Sequence, residues 1–177
     1  MASVLSHPAV PLALAVALGS HRVPAALTVA ACTASVLPDI DSFGFWAGIP
    51  ASHLFGHRGF THSLCFAFLL AAFGSLFARS FGSTPVVAFA VLFVAIASHG
   101  ALDALTTGGP GVAFFSPFSN QRYFFPWHVL VVSPIGVRAF FSGWGVRILK
   151  SELTWVWAPC AVLAAAGMAI RRLFRVA

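Results

Sequence analysis

Histidine and aspartate side chains stand at the edges of long apolar stretches in this sequence. The clearest pair is His99 and Asp103, whose i, i+4 spacing puts an imidazole and a carboxylate on one side of a helix. Ionisable groups are costly in apolar surroundings, so they mark functional sites by default. Because imidazole and carboxylate are ligands of zinc, manganese and iron, the pair indicates a metal site or, equally, a structural hydrogen bond.

A second motif holds two carboxylates. Asp39 and Asp41 alternate in the segment Leu37–Asp41, where an apolar run gives way to a loop. Alternating residues on an extended stretch point the same way, so both carboxylates could bind one ion, or one could orient a neighbouring ligand. They could also merely cap a turn, but carboxylates this close repel each other unless a positive group lies between them. A ligand role for at least one of them is therefore favoured.

A third motif is the polar segment 57–63, which interrupts very apolar sequence. Its two histidines, His57 and His62, are candidate metal ligands. Their i, i+5 spacing does not share a helical face, so at least His57 should lie on a loop. Thr61 is the expected N-cap of the helix that follows.

The elements that position these motifs are predicted to be helices in a membrane. Of 177 residues, 59% are hydrophobic and 8% are charged, against about 25% charged in ordinary soluble domains. The mean hydropathy is +0.93. This composition excludes a water-soluble globule, a disordered chain, a collagen-like fibre and a disulfide scaffold. We therefore expect an all-α, multi-pass transmembrane helical bundle, with residues 1–177 forming a single integral-membrane domain.

Proline, glycine and charged residues divide the chain into five apolar segments, so about five spans are expected, within a range of four to six. The segments are Val4–Gly19, Pro24–Leu37, Ser63–Ala78, Pro85–Leu105 and Leu153–Ile170. A span needs about 20 residues, and the first three segments are shorter than this. Thr106–Glu152, between the last two segments, is rich in glycine, proline and aromatic residues, which predicts an interfacial or re-entrant piece. A sixth span over Val129–Val137 is the alternative.

This order of segments brings the polar motifs to one face of the membrane. Through successive crossings, the start of an odd-numbered helix and the end of an even-numbered helix lie on the same side. The residues at such positions are His7, Asp39, Asp41, His57, His62, His99 and Asp103. His7 alone would be an ordinary helix-end histidine, and its position on this face makes it a candidate ligand. The sequence therefore predicts a metal site at one membrane face.

Four ordered motifs resemble a known family. They are Leu37–Asp41, His57–Ser63, Ser98–Asp103 with the following Thr106, and Phe114–Tyr123. From His7 to about Tyr123 the chain is similar to the YdjM-type inner-membrane family of metal-dependent hydrolases, which is grouped with the zinc-dependent phospholipase C and P1-nuclease superfamily. The resemblance implies an all-helical core and phosphoester hydrolysis. The metal ligands that it implies are His7, Asp39, His57 or His62, His99 and Asp103.

The resemblance also bears on the number of ions. Those soluble relatives use a second His-xxx-Glu pair, and this chain has none, because its only glutamate is Glu152. One or two divalent ions, with zinc favoured, are therefore expected in place of a three-metal cluster.

The leading hypothesis is hydrolysis of a lipid phosphoester by metal-activated water at one membrane face. Asp41 or Asp39 would orient a ligand or accept the proton of the water. Arg58 and Arg122 would hold the anionic phosphate through their planar guanidinium groups. A metal-ion or proton-coupled transporter is the alternative, although the internal repeats typical of transporters are not evident. A non-catalytic scaffold would leave the ordered polar groups without a cause.

Partners and location follow from the distribution of charge. The net charge of +6 is spread over short loops and the tail, so membrane lipid is the expected environment and substrate, and nucleic acid is not a partner. Arg22 and Arg79 lie on short segments without acids, which predicts that their face is cytoplasmic. In an inner membrane, the location that the resemblance implies, the site face would then be extracytoplasmic. The sequence predicts no particular oligomeric state.

Overall fold

The structure, a computed structural model, describes residues 1–134 and 140–174, and these residues contain five helices of ten or more residues. They are α1 Ala9–Leu18, α2 Ala25–Val36, α3 Leu64–Ser75, α4 Pro85–Ala104 and α5 Gly143–Leu173. Helix α5 contains a π-helical turn, Leu153–Trp157, between the α-helical parts Gly143–Glu152 and Ala158–Leu173. Within these residues the β-bridges are isolated and no strand forms, so the predicted all-α class is confirmed.

Hydroxyl caps set the starts of three helices. Ser63, Thr84 and Ser142 each accept a hydrogen bond from a backbone N–H in the first turn of α3, α4 and α5, which satisfies a donor that the helix leaves unpaired. The prediction of Thr61 as the cap of α3 is wrong, because Ser63 has that position. The Thr61 hydroxyl donates instead to the carboxylate of Asp41, at 2.6 Å.

Helix α4 lies at the centre of the packing, against α2 and α3, while α1 packs against α5 and α2. The fully buried alanines of the α2–α3–α4 core are Ala31, Ala67, Ala71, Ala88 and Ala95. Small residues let helices approach closely, which is how helices associate where hydrophobic burial gives no net gain. On the other side, a Cβ on Gly167 of α5 would lie 2.6 Å from the Cβ of Ala17 in α1, so glycine permits that contact.

The outer surfaces of the helices are apolar. Leu76 and Val86 are each 77% exposed, and Leu173 is 72% exposed. Extended exposed apolar surface marks contact with another apolar phase. The helix exteriors therefore suit lipid.

Two helices, Pro85–Ala104 and Gly143–Leu173, are long and apolar enough to cross a membrane. The helices α1, α2 and α3 have 10, 12 and 12 residues, and at about 1.5 Å per residue they fall short of a hydrocarbon core about 30 Å thick. The multi-pass bundle of about five spans therefore stays a prediction, as does an interfacial place for Thr106–Glu152. The alternative span Val129–Val137 lies partly outside the described residues.

Helix α5 begins ten residues before the segment that the sequence predicted. The apolar run starts at Leu153, but the helix starts at Gly143, so the end of the predicted connection is helical. Its first part carries Arg147 and Lys150. These charged residues keep the first part out of the apolar run, but they are compatible with a helix.

Candidate metal centre

Four parts of the chain bring their polar side chains into one buried cluster. Its members are His7, Asp39, Asp41, His57, Arg58, His62, His99 and Asp103, and each is at most 8% exposed. The segment before α1 contributes His7, and the last turns of α4 contribute His99 and Asp103. The aspartates that follow α2 lie on a 3-10 helix, Leu37–Ser42. The residues that the sequence placed on one face thus meet around one point.

Backbone geometry lets the histidine loop approach α4. His57 lies on the loop and His62 ends a short 3-10 turn, as their spacing predicted. Arg58 has a φ of 63°, in the left-handed region that few non-glycine residues adopt. A Cβ on Gly100, the residue after His99, would lie 2.8 Å from the carbonyl oxygen of His62. Glycine at this position therefore allows the two histidines to meet.

Four side chains offer ligand atoms that converge. One atom each from Asp39, His62, His99 and Asp103 lies within 4.8 Å of all the others. The Nε2 atoms of His62 and His99 are 3.0 Å apart. Oδ1 of Asp39 lies 3.4 Å from Nε2 of His99, and Oδ2 of Asp103 lies 3.5 Å from Nε2 of His62. This is the atom set that a single ion would contact.

Partners outside this set orient both imidazoles. Nδ1 of His99 lies 2.8 Å from the carbonyl oxygen of Ser35, and a carbonyl only accepts, so we infer that the hydrogen is on Nδ1. Nδ1 of His62 lies 3.0 Å from Oδ2 of Asp41, which gives the same tautomer. Both Nε2 lone pairs then point into the cluster, where they repel each other unless a cation or a proton lies between them. Metal-binding histidines are fixed in this way by a partner on the other ring nitrogen.

The carboxylates of the cluster have unused acceptor atoms. Both oxygens of Asp39 are buried and accept no hydrogen bond from the described residues, whereas Oδ2 of Asp103 lies 3.0 Å from the Nε of Arg58. Leaving buried polar atoms unpaired costs about 1–3 kcal/mol each. Two imidazole nitrogens and two carboxylate oxygens are the donors that zinc and similar divalent ions take. The donor set therefore fits a divalent metal.

The charge of the cluster points the same way. The cluster contains three carboxylates, those of Asp39, Asp41 and Asp103, and one guanidinium, that of Arg58, whose Nε lies 3.0 Å from Oδ2 of Asp103. Burial alone would lower the pKa of His62, but the carboxylates of Asp103, Asp39 and Asp41 outweigh burial and raise this pKa to about 10. The negative charge that favours a proton on His62 also favours a cation in its place.

Asp41 belongs to an outer layer. Its carboxylate accepts from Nδ1 of His57 at 2.7 Å, from the backbone N–H of Arg58 at 3.1 Å and from the hydroxyl of Thr61. Burial raises the pKa of Asp41, but the contacts with His57 and His62 outweigh it and hold this pKa well below the usual range. A second possible ligand group combines His57 and Asp41 with Asp39 and His62, although the oxygens of Asp41 are already engaged.

The two arginines that the sequence singled out have protein partners. The Arg58 guanidinium donates to the carbonyl of Gly108 at 3.1 Å and to the Thr106 hydroxyl at 3.0 Å, in addition to its contact with Asp103. Arg122 donates to the carbonyls of His57 and Ala51 and is partly exposed. Phosphate binding by Arg58 and Arg122 stays a prediction.

Several groups around the site were not found by sequence reasoning. The carbonyl of Ser35 holds His99, and the backbone N–H of Ala2 donates to Oδ1 of Asp103 at 2.6 Å. Every residue has such backbone groups, so no residue type signals them. Glu152 is buried and accepts from the Ser3 hydroxyl at 2.6 Å, which joins α5 to the segment before α1.

Access to the cluster is easiest at its aspartates. Asp41 and Asp39 are the least buried members, at 8% and 7%, and their neighbours Ile40, Phe43 and Trp46 are exposed and apolar. A groove of 510 Å³ adjoins this edge. Its lining includes Leu5, Ser42, Trp46, Phe140 and Phe141. The least buried carboxylates of the cluster therefore lie beside apolar surface.

Comparison with known proteins identifies the family. The chain matches the YdjM inner membrane protein family over residues 1–175, which confirms the resemblance and extends it past Tyr123. It is similar to inner membrane protein YbcI of Escherichia coli (strain K12), with 39% identity over 164 residues that cover 92% of this chain and 95% of that protein. No solved structure matches the chain significantly. These names and the two long apolar helices support a location in the inner membrane. The chain belongs to the YdjM family of inner membrane proteins.

Proposed function

We propose that this chain is a membrane-embedded, metal-dependent hydrolase that cleaves a lipid phosphoester at one membrane face. The observation that carries the proposal is the convergence of two imidazole lone pairs with unpaired carboxylate oxygens in a buried cluster. When bound, a divalent ion would supply a Lewis acid for the phosphoryl oxygen and lower the pKa of a water. Zinc is favoured by the mixed donor set.

The residues around the ion would have separate roles. Asp39, His62, His99 and Asp103 would hold it. Asp41 would fix the tautomer of His62, which is one of the two roles that the sequence allowed for this carboxylate. The hydrogen-bonded Asp41–His57 pair, 2.7 Å between Oδ1 and Nδ1, is the candidate acceptor for the proton of the water.

Arg58 and Arg122 differ in exposure, and this difference suggests different roles for them. Arg58 is fully buried and contacts Asp103, so it would orient that carboxylate and offset its charge. Arg122 is partly exposed and contacts the loop that carries His57. It is therefore the better candidate to meet an anionic headgroup, as its planar fork suits phosphate.

A lipid substrate is supported by the surroundings of the least buried members. The exposed side chains of Ile40, Phe43 and Trp46 and the adjacent groove are apolar, and an aromatic ring such as that of Trp46 suits the membrane interface. A phosphoester at this edge would reach the aspartates with its acyl chains still in lipid. The extracytoplasmic orientation of this face is part of the proposal.

The test is hydrolysis by purified protein in mixed micelles of phosphatidylethanolamine, phosphatidylglycerol and phosphatidic acid, with products followed by mass spectrometry. We expect turnover by the wild type, loss with a chelator and recovery on return of zinc. His99→Ala and Asp103→Ala should abolish turnover, and His53→Ala, which changes an exposed histidine on the same loop, should not.

Turnover that survives in His99→Ala and Asp103→Ala would overturn this assignment. Metal uptake by sealed vesicles without hydrolysis of any phospholipid would favour the transporter instead.

A further inference from the structure

His7 is a buried imidazole without a hydrogen-bond partner. Its exposure is 0%, and both ring nitrogens are unpaired among the residues that the structure describes. The adjacent hydroxyl of Ser6 is also buried and unpaired. Burying polar groups without partners is costly, so such groups in a folded protein require an explanation. The four-atom set described above does not include His7.

The ring of His7 lies parallel to that of His99. The centroids are 3.7 Å apart and the planes differ by 15°. Nε2 of His99 faces Oδ1 of Asp39 at 3.4 Å, and Nε2 of His7 faces Oδ2 of the same carboxylate at 3.9 Å. The two oxygens of Asp39 therefore face different imidazoles, Oδ1 that of His99 and Oδ2 that of His7.

This arrangement is what a bridging carboxylate requires. Neither oxygen of Asp39 accepts a hydrogen bond from the described residues, so both are available to ions. The separation of the stacked rings matches the spacing of about 3.5–4 Å between the ions of two-metal hydrolytic sites. We propose that His7 and Oδ2 of Asp39 bind a second divalent cation, with Asp39 bridging it to the ion held by His62, His99 and Asp103.

The proposal rests on the first ion of the proposed function and adds a reason for anion binding. One divalent ion would balance the excess of three carboxylates over the single guanidinium of Arg58. A second would make the cluster positive, which favours a phosphate group. His7 and Asp39 supply only two protein ligands, so the second ion would bind more weakly and keep positions open for water or substrate.

Metal stoichiometry tests the second site without reference to turnover. Chelator-treated protein in detergent is titrated with Zn²⁺ by calorimetry and with Mn²⁺ by electron paramagnetic resonance. We expect two equivalents in the wild type, the second weaker, and an exchange-coupled Mn²⁺ pair at saturation. His7→Phe keeps an aromatic ring against His99 and should bind one equivalent without coupling, whereas His53→Ala should bind two.

The outcomes separate this site from the first one. A wild type that binds one equivalent, or a His7→Phe variant that still binds a coupled pair, overturns the second site and leaves the first ion in place. A wild type that binds no metal overturns both. The coupled signal needs no variant, so the test stands even where a substitution at position 7 prevents folding.

Discussion

Hydrogen-bond partners set the chemistry of individual side chains in this cluster. A backbone carbonyl fixes one imidazole and a carboxylate fixes the other, through Ser35 and Asp41. Because each partner occupies Nδ1, the two Nε2 atoms are left to face the carboxylates of Asp39 and Asp103. Through its contact with Nδ1 of His62, Asp41 would act on a bound metal indirectly, by orienting a ligand.

Replacing Asp41 tests this outer-layer role. Asp41→Asn keeps the shape of the side chain but removes its charge, so Nδ1–H of His62 faces a neutral amide in place of a carboxylate and its tautomer is held less firmly. We expect zinc affinity to fall about 10- to 100-fold while the helical circular dichroism spectrum is unchanged. Thr61→Val removes only one donor to Asp41 and should have a smaller effect. Zinc affinity equal to that of the wild type in Asp41→Asn would show that His62 does not depend on Asp41.

At the scale of elements, the site depends on how closely α4 and the histidine loop approach each other. Helix α4 carries His99 and Asp103 one turn apart, and the loop brings His62 against that turn. Gly100 faces the carbonyl oxygen of His62, where a Cβ would lie at 2.8 Å. This contact is between two backbones, so rotation of a side chain cannot relieve it.

Gly100→Ala should therefore disturb both stability and metal binding. Overpacking costs about 1–3 kcal/mol, which lowers the apparent Tm, and displacement of the loop separates His62 from His99 and weakens zinc binding. Gly143→Ala is the matched control, because a Cβ there meets nothing within 4 Å. Thermal unfolding and zinc titration in the same detergent compare the two variants. Equal behaviour of Gly100→Ala and Gly143→Ala would mean that the close approach is not required.

The sequence predicted the elements that apolar runs and residue spacing mark, and it predicted the exact start and cap of a helix less well. Apolar runs separated by proline, glycine or charged residues located the five long helices of the described residues, and the i, i+4 spacing predicted that His99 and Asp103 share a side of α4. The start of α5 was missed because Arg147 and Lys150 interrupt the apolar run but fit one face of a helix. The cap of α3 was assigned to Thr61 because Thr61 and Ser63 both carry a hydroxyl group that can cap a helix. The hydrogen bond that Thr61 makes instead joins it to Asp41, which is 20 residues away in the sequence, so the local sequence does not indicate it.

For the whole molecule, the sequence predicted convergence from the order of its helices, and the structure brings the same residues into one cluster. Side-chain roles within it could not be read from spacing, since His7, His57 and His62 have the same residue type and differ only in their partners. Two helices are long enough to cross a membrane. The cluster lies at the C-terminal end of α4, where Asp103 accepts a hydrogen bond from the backbone of Ala2 in the segment before α1.

The central claim is that this chain holds a divalent cation through histidine nitrogens and carboxylate oxygens. X-ray absorption at the edge of whichever metal copurifies with the protein tests it most directly. For zinc, we predict a first shell of nitrogen and oxygen at about 2.0–2.2 Å, with the multiple scattering of imidazole, and loss of this signal in His99→Ala. Protein that retains no metal, or a shell containing sulfur from Cys32, Cys65 or Cys160, would contradict the account.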